Sequence, residues 1–413
     1  MAEERSRLTP HGRSGAELAW ASLLHLWNDG LTAALTVLLP FVAADLHLGY
    51  AQAALLRTMH LAALTVTQIP LATLAGVARE TAVLGGGLTW FGASYLVLAA
   101  ATTFAGALTW AAVAGAGAGA YHPIATNRIA SLADPRARGR AIGTLNFSGD
   151  IGKFLLPAAA GALAALAGWR WSLALLGGLG ALVGTAYLWA CRGRTATFEP
   201  PTNRAPDWPS ARTSAGQWGI HRPVSFVVIT AIGVIDNGIR SAVLTFLPFL
   251  LVARGLGGAE VGGLFALMLI GGGAGKLACG WLTDAVGQRV VIIVTEILMA
   301  AGTVGVLWVG GAAPLAVYLV GLGAALNGTS SAVLAGVADT VDRSRGSRGY
   351  GVYFTSTFAA AAIAPAAYGV LADRGGLPAV FWGLGLVTLL IPVLALFLPP
   401  DDGAGVSGSP ASR

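Results

Sequence analysis

Charge is scarce in this sequence. Asp, Glu, Lys and Arg together make up 11% of its 413 residues, against roughly 25% in a soluble domain. Cysteine is scarcer still: Cys191 and Cys279, the two present, lie at or within apolar segments and give neither a disulfide framework nor metal-ligand spacing. Strings that mark catalytic sites are missing as well. No His-Glu-x-x-His, Gly-x-Ser-x-Gly or paired-aspartate motif occurs, so an enzyme is disfavoured, and no P-loop pattern points to ATP as a driver. The formal net charge of +6 would suit nucleic acid, but the basic residues sit at the ends of apolar runs instead of forming one stripe, and no nucleic-acid partner is expected.

Apolar sequence fills the space that charge leaves: 55% of residues are hydrophobic, in runs of about 20 residues or more, the length that crosses a hydrocarbon layer of ~30 Å. Inside lipid such runs satisfy their backbone groups as helices. The pattern predicts an all-α membrane protein of twelve transmembrane helices. Spans 1 to 6 are expected at 17–43, 53–76, 81–103, 106–132, 139–166 and 171–191, and spans 7 to 12 at 222–252, 259–284, 288–310, 314–338, 348–372 and 378–398. The domain reading is an N-terminal six-helix bundle over 1–191, a cytoplasmic linker over 192–221, a C-terminal six-helix bundle over 222–400 and a cytoplasmic tail over 401–413. The polar start, Met1 to Gly15, leads into a run too long for a signal-peptide core, so residue 1 is expected in the mature protein.

Orientation follows from the basic residues. With the N-terminus inside, the inner segments hold clusters such as Arg136, Arg138 and Arg140 or Arg343, Arg345 and Arg348, while the outer loops hold Arg170, Arg254 and Arg374. Retention of Arg and Lys on the cytoplasmic side then predicts both termini in the cytoplasm and an inner (plasma) membrane location. The chain also repeats itself. Asn28-Asp29-Gly30 with Pro40-Phe41 opens the first half, and Asp236-Asn237-Gly238 with Pro248-Phe249 opens the second at the offset that also relates Pro157 to Pro365. Two matched halves in parallel order are one arrangement found in secondary transporters, with the site at the midplane between them.

Gly280-Trp281-Leu282-Thr283-Asp284-Ala285-Val286-Gly287-Gln288-Arg289 resembles the loop signature of the major facilitator superfamily. There the glycines are expected to permit close helix contact, and Asp284 and Arg289 to latch neighbouring helix ends. In the first half Gly76 stands at the Asp position. His25-Leu26-Trp27-Asn28-Asp29 with Leu39-Pro40-Phe41, Tyr121-His122-Pro123 leading to Arg128, Arg138 and Gly139, and Gly369 to Asp373 through Phe397-Leu398-Pro399 are similar to the fosmidomycin-resistance family of drug exporters. The departures are Ile124, where that family has Glu, Asp150, where it has Asn, and an added Lys153. The resemblance implies proton-driven efflux of a small drug-like or metabolite molecule. In that architecture spans 1, 4, 7 and 10 line the cavity and spans 3, 6, 9 and 12 lie outermost.

An ionisable side chain at mid-bilayer costs roughly 2.5–3.5 kcal/mol on insertion scales, so each one asks for a reason. His25, Asn28 and Asp29 share one helical face, and Asp29 lies roughly 18 Å into its span at 1.5 Å per residue. A carboxylate there can exchange a proton. Proton coupling is accordingly assigned to Asp29, His25, Asp236 and His122, and solute binding to Asn28, His122, Asp150, Lys153, Asp236 and Arg240. Asp150 with Lys153, and Asp236 with Arg240, fit two readings: mutual neutralisation, or contact with a charged or zwitterionic solute. Arg57 and His60 read as an outer-gate element. Arg128 and Lys276, nearer the cytoplasmic ends, read as structural or gating residues that snorkel, in the same class as Gly280, Asp284, Gly287 and Arg289. Glu296 in span 9 is left without a role.

The expected partners are a small solute, protons and the bilayer, with the protein as a monomer and no cofactor or metal. An importer or facilitator of a charged metabolite, suited by Lys153, Arg57 and Arg240, is the rival within transport. A membrane sensor on a transporter scaffold is the rival outside it.

Overall fold

The computed structural model describes residues 10–77, 79–132, 138–192, 220–341 and 347–399. The expected linker therefore falls almost wholly outside the described residues, and the tail does so entirely. The first half comprises α1 (Pro10–Asp45), α2 (Tyr50–Val77), α3 (Glu80–Ala99), α4 (Phe104–Ala118), α5 (His122–Leu132) and α6 (Arg138–Ala190). The second comprises α7 (Pro223–Ala253), α8 (Gly258–Val286), α9 (Gln288–Gly305), α10 (Ala312–Thr340), α11 (Ser347–Thr388) and α12 (Leu390–Ala395). Among the described residues nine continuous helical stretches are long and apolar enough to cross a membrane.

Two of those stretches are double. α6 bends at Gly168 (φ 84°) and α11 at Gly376 (φ 73°), each in the left-handed region that glycine alone enters freely. The bends fall where the spans were expected to end, so α6 serves as spans 5 and 6, and α11 with α12 as spans 11 and 12. Span 4 is the pair α4–α5, interrupted at 119–121. Pro123 lacks the N–H that would bond back to residue 119. The chain there tightens to bonds from Ala120 to Gly117 (3.3 Å) and from Tyr121 to Ala118 (3.4 Å), then restarts as α5.

Small residues set the packing, since lipid supplies no hydrophobic drive between helices and close backbone approach must do the work. In α4, Gly115 abuts the His60 carbonyl of α2, and a Cβ on Gly117 would stand 2.8 Å from the Phe91 amide of α3. The same logic joins the halves. A Cβ on Gly161 of α6 would strike the Gly258 carbonyl and come within 2.8 Å of Gly262 Cα in α8. Its repeat counterpart, Gly369 of α11, would put one 2.7 Å from Ala51 Cα in α2. Asp373 of α11 then caps the start of α2, accepting from the amides of Tyr50 (2.7 Å) and Ala51 (3.1 Å), a favourable place for a carboxylate on a helix.

The contacts that join the halves lie at one end of the bundle, opposite the start of α1, called here the far end. Toward the near end α2 loses its cover: Val66 is 72% and Ile69 78% exposed. The halves meet at the far end, and a cleft opens between them toward the near end.

Candidate functional site

Asp29 is the hub of the cleft. α1 presents His25, Asn28 and Asp29 on one face, α5 begins with His122, and α6 supplies Asp150 and Lys153. Lys153 Nζ stands 2.9 Å from Asp29 Oδ2 and 3.2 Å from Asp150 Oδ1. His25 Nε2 lies 3.2 Å from Asp29 Oδ2, His122 Nε2 lies 3.3 Å from Oδ1, and the Asn28 amide donates to Oδ1 at 3.4 Å. Lys276 of α8 reaches Asp150 at 3.9 Å. The result is a ladder of alternating charge, Asp29–Lys153–Asp150–Lys276, that crosses from one half to the other.

Glycine makes this assembly possible. A Cβ on Gly149 would stand 2.6 Å from His25 Nε2 and 2.9 Å from Asp29 Oδ2, and Gly152 abuts the Leu26 carbonyl. His25 is fixed on all sides: its Nδ1 is 2.7 Å from the Leu145 carbonyl, and its ring stacks on Tyr121 at 4.7 Å. The Tyr121 hydroxyl in turn donates to the Ala21 carbonyl. Because Nδ1 faces a carbonyl it donates there, which leaves Nε2 facing the Asp29 carboxyl at 3.2 Å, where a proton on either atom would bridge the two.

Burial grades across the cluster. Asp29 is 5% exposed, whereas the side chains of His122, Lys153, Asp150 and Lys276 are each 39–42% exposed to the cleft. A pocket of about 370 Å³ is lined by Gln68, Ile69, Ala72 and Thr73 of α2 and by Pro123, the residue after His122. The ligand atoms of His25, Asp29 and His122 lie within 4.8 Å of one another, close enough for a small cation, but the Lys153 ammonium already supplies positive charge to that carboxylate.

Asp236 and Arg240 do not join this ladder. They pair with each other inside the second half, while neighbouring Asn237 donates to the Thr357 carbonyl at 2.9 Å. Gly233 occupies the repeat position of His25, and the Tyr353 ring fills the space an imidazole would take, with its hydroxyl 2.9 Å from where a Cβ would be. Arg57 bonds Thr36 of α1, and His60 faces the Ala111 carbonyl at 3.2 Å. Both hold helices of the first half to one another, while the contact between halves at the start of α2 is made by Asp373.

Arg128 is the near-end clamp of the first half, reaching Glu17 of α1 and Glu80 of α3, each at 3.1 Å. It latches helices in the half whose loop signature carries Gly76. In the second half Gly287 holds φ 89° between α8 and α9, a turn that needs glycine. Gly280 corrects the expectation of close helix contact: nothing lies within 4 Å of where its Cβ would be. Asp284 is exposed on the last turn of α8.

Lys276 and Glu296 are where the structure adds most to the sequence reading. The side chain of a helical residue tilts toward the helix N-terminus. α8 runs from the far end to the near end, so Lys276 leans back into the cleft instead of snorkelling outward. Glu296 is no isolated group on a lipid face but lies against Asp236 and Thr329. A signal was present: Ile292, Glu296, Met299 and Thr303 form one buried stripe, while Val290, Val294, Ile297 and Leu298 are exposed.

The family model for the Major Facilitator Superfamily matches residues 20–312 and 228–413. The chain belongs to this superfamily. Among solved structures it is similar to a bacterial homologue of the human lysosomal transporter Spinster in an inward-facing, unoccupied conformation, with a TM-score of 0.76 and 15% identity over 93% of this chain and 95% of that one. It is also similar to the nucleoside transporter NupG (TM-score 0.74, 11% identity, 92% and 99% covered) and to the peptide transporter POT (0.73, 16%, 92% and 93%). Among curated proteins the sequence finds no match. As a superfamily member the protein is a multi-pass membrane transporter of the secondary active kind, working by alternating access.

Proposed function

We propose that this transporter uses the proton gradient to export a small charged or zwitterionic solute, drug-like or metabolic, across the inner membrane, with the near end and both termini in the cytoplasm. The observation that carries this reading is the His25–Asp29 contact. With its Nδ1 committed to Leu145, His25 turns Nε2 to the Asp29 carboxyl at 3.2 Å, so one proton placed between these two buried atoms bridges them and its departure leaves both without a hydrogen-bond partner. The half-exposed Lys153, Asp150 and Lys276 offer both signs of charge to a solute. Of the cations that would suit an importer of a charged metabolite, Arg57 and Arg240 are engaged inside their own halves, which leaves Lys153 in the cleft. Efflux is supported by the resemblance to fosmidomycin-resistance exporters and by the glycine series of α6.

The test uses proteoliposomes with an acidic lumen and a panel of fluorescent drug-like amines and zwitterions. Exchange of lumenal protons for at least one probe, with ΔpH falling on probe addition, is the expected result. Probe equilibration indifferent to the gradient would replace this reading with a facilitator, and saturable binding without translocation would replace it with a sensor.

A further inference from the structure

The interior of the second half holds two carboxyl groups and one guanidinium. Glu296 of α9 is 0% and Asp236 of α7 3% exposed. They adjoin each other, with Arg240 of α7 on Asp236 Oδ2, Thr329 of α10 beside Glu296, and Tyr353 of α11 facing Asp236. Lys276 of α8 lies on the cleft side, toward Arg240. Thr329 shares its hydroxyl with Thr295 at 2.7 Å. Glu296 Oε1, Glu296 Oε2 and Asp236 Oδ1 are all buried without a hydrogen-bond partner.

Three orphan oxygens in one place are costly, and an ionised carboxylate can only accept. Two ionised carboxylates side by side could therefore not satisfy each other, and with Arg240 they would leave one net negative charge buried. A single proton removes the excess charge and gives two of the three orphan oxygens a partner. It turns one carboxyl into a donor to the other, converts a like-charge contact into a hydrogen bond, and brings the triad to neutrality.

We propose that Asp236 and Glu296 hold one proton between them, forming a buried proton site in the second half that is separate from the Asp29 cluster. The step is reversible protonation: one O–H bond forms on a carboxylate, the proton coming from and returning to water, and no bond within the chain breaks. The proton belongs to the pair and not to either residue alone. Its use in transport rests on the proton-driven reading above, with the pair able to answer protonation in one half while solute sits in the cleft.

Infrared spectroscopy of the purified full-length protein at neutral pH tests the site without any solute. The wild type is expected to show the carbonyl stretch of a buried protonated carboxyl, shifted on exchange into heavy water. Glu296→Gln is expected to lose that band completely, because Asp236 is then balanced by Arg240, and Glu260→Gln on the exposed start of α8 is expected to keep it. If Glu296→Gln does not fold, Glu296→Leu gives the same reading with an apolar side chain of similar volume. No band in the wild type, or a full band in the Glu296 variant, overturns the proposal. A band that behaves as expected in a protein whose transport ignores the proton gradient keeps the site and removes only its coupling role.

Discussion

Lys276 and Asp150 face each other at 3.9 Å from opposite halves of the molecule, and each is 39% exposed to the cleft. Partial hydration limits such a pair to about 0.5–1 kcal/mol. Thermal unfolding of Asp150→Asn, Lys276→Gln and the double variant is expected to give a coupling energy of that size. Transport by each single variant should fall further than the small stability change suggests, because the pair must separate whenever the halves rock.

Asp29→Asn is expected to abolish proton-driven probe exchange while the protein still folds, since Lys153 keeps Asp150 as its partner at 3.2 Å. Lys153→Gln is the harsher change. It removes the nearest cation from Asp29, 5% exposed, and leaves it His25, His122 and the Asn28 amide. Because Lys153 is itself 40% exposed, the cost falls below the roughly 3–5 kcal/mol of breaking a fully buried pair from one side. A thermal scan that ranks Lys153→Gln below Asp29→Asn would agree with this. Wild-type pH-dependent exchange by Asp29→Asn would remove that residue from coupling.

Asp373→Ala removes the carboxylate from the first amides of α2, a cap worth about 1 kcal/mol. The contact exists only while the far end is shut, so its loss is expected to shift the resting population toward the state open at that end. Spin labels on the start of α2 and the end of the first half of α11 would report a longer mean distance.

Gly161→Ala and Gly369→Ala each place a methyl against backbone, at Gly258 and Gly262 or at Ala51, where no side chain can swing aside. An overpacking cost of about 1–3 kcal/mol is expected to fall on the closed far end alone. Both variants should therefore respond in the spin-label distance in the same direction as Asp373→Ala, and a closed-end distance unchanged in both would refute the role given to these crossings.

The sequence made the broad architecture legible because two strong signals agree: lipid-length apolar runs, and matched halves whose offset reappears at Gly168 with Gly376 and at Gly161 with Gly369. It also placed His25, Asn28 and Asp29 on one face and named His122, Asp150 and Lys153 as candidates, without joining them to Asp29. What it concealed was direction and depth. Lys276 lies two-thirds of the way along its span, so linear position suggests snorkelling, whereas the tilt of the side chain toward the start of α8 sends it to Asp150. Glu296 was hidden by the rule that span 9 faces lipid, which is true of Val290 and Val294 and untrue of the stripe through Ile292 and Met299. The partners of Arg57 and His60, Thr36 and the Ala111 carbonyl, were hidden because depth along a span says nothing about which neighbour a side chain meets.

The interruption at 119–121 divides span 4 into two levers, one of which, α5, carries His122 at its tip. On the proposed reading, a solute that reaches His122 would press on a segment tied at its other end to α1 and α3 through Arg128, Glu17 and Glu80, while the glycines of α4 hold that helix to α2 and α3. Pressure there would pass along α5 to the first and third helices of the same half, so that half would answer cargo as one body.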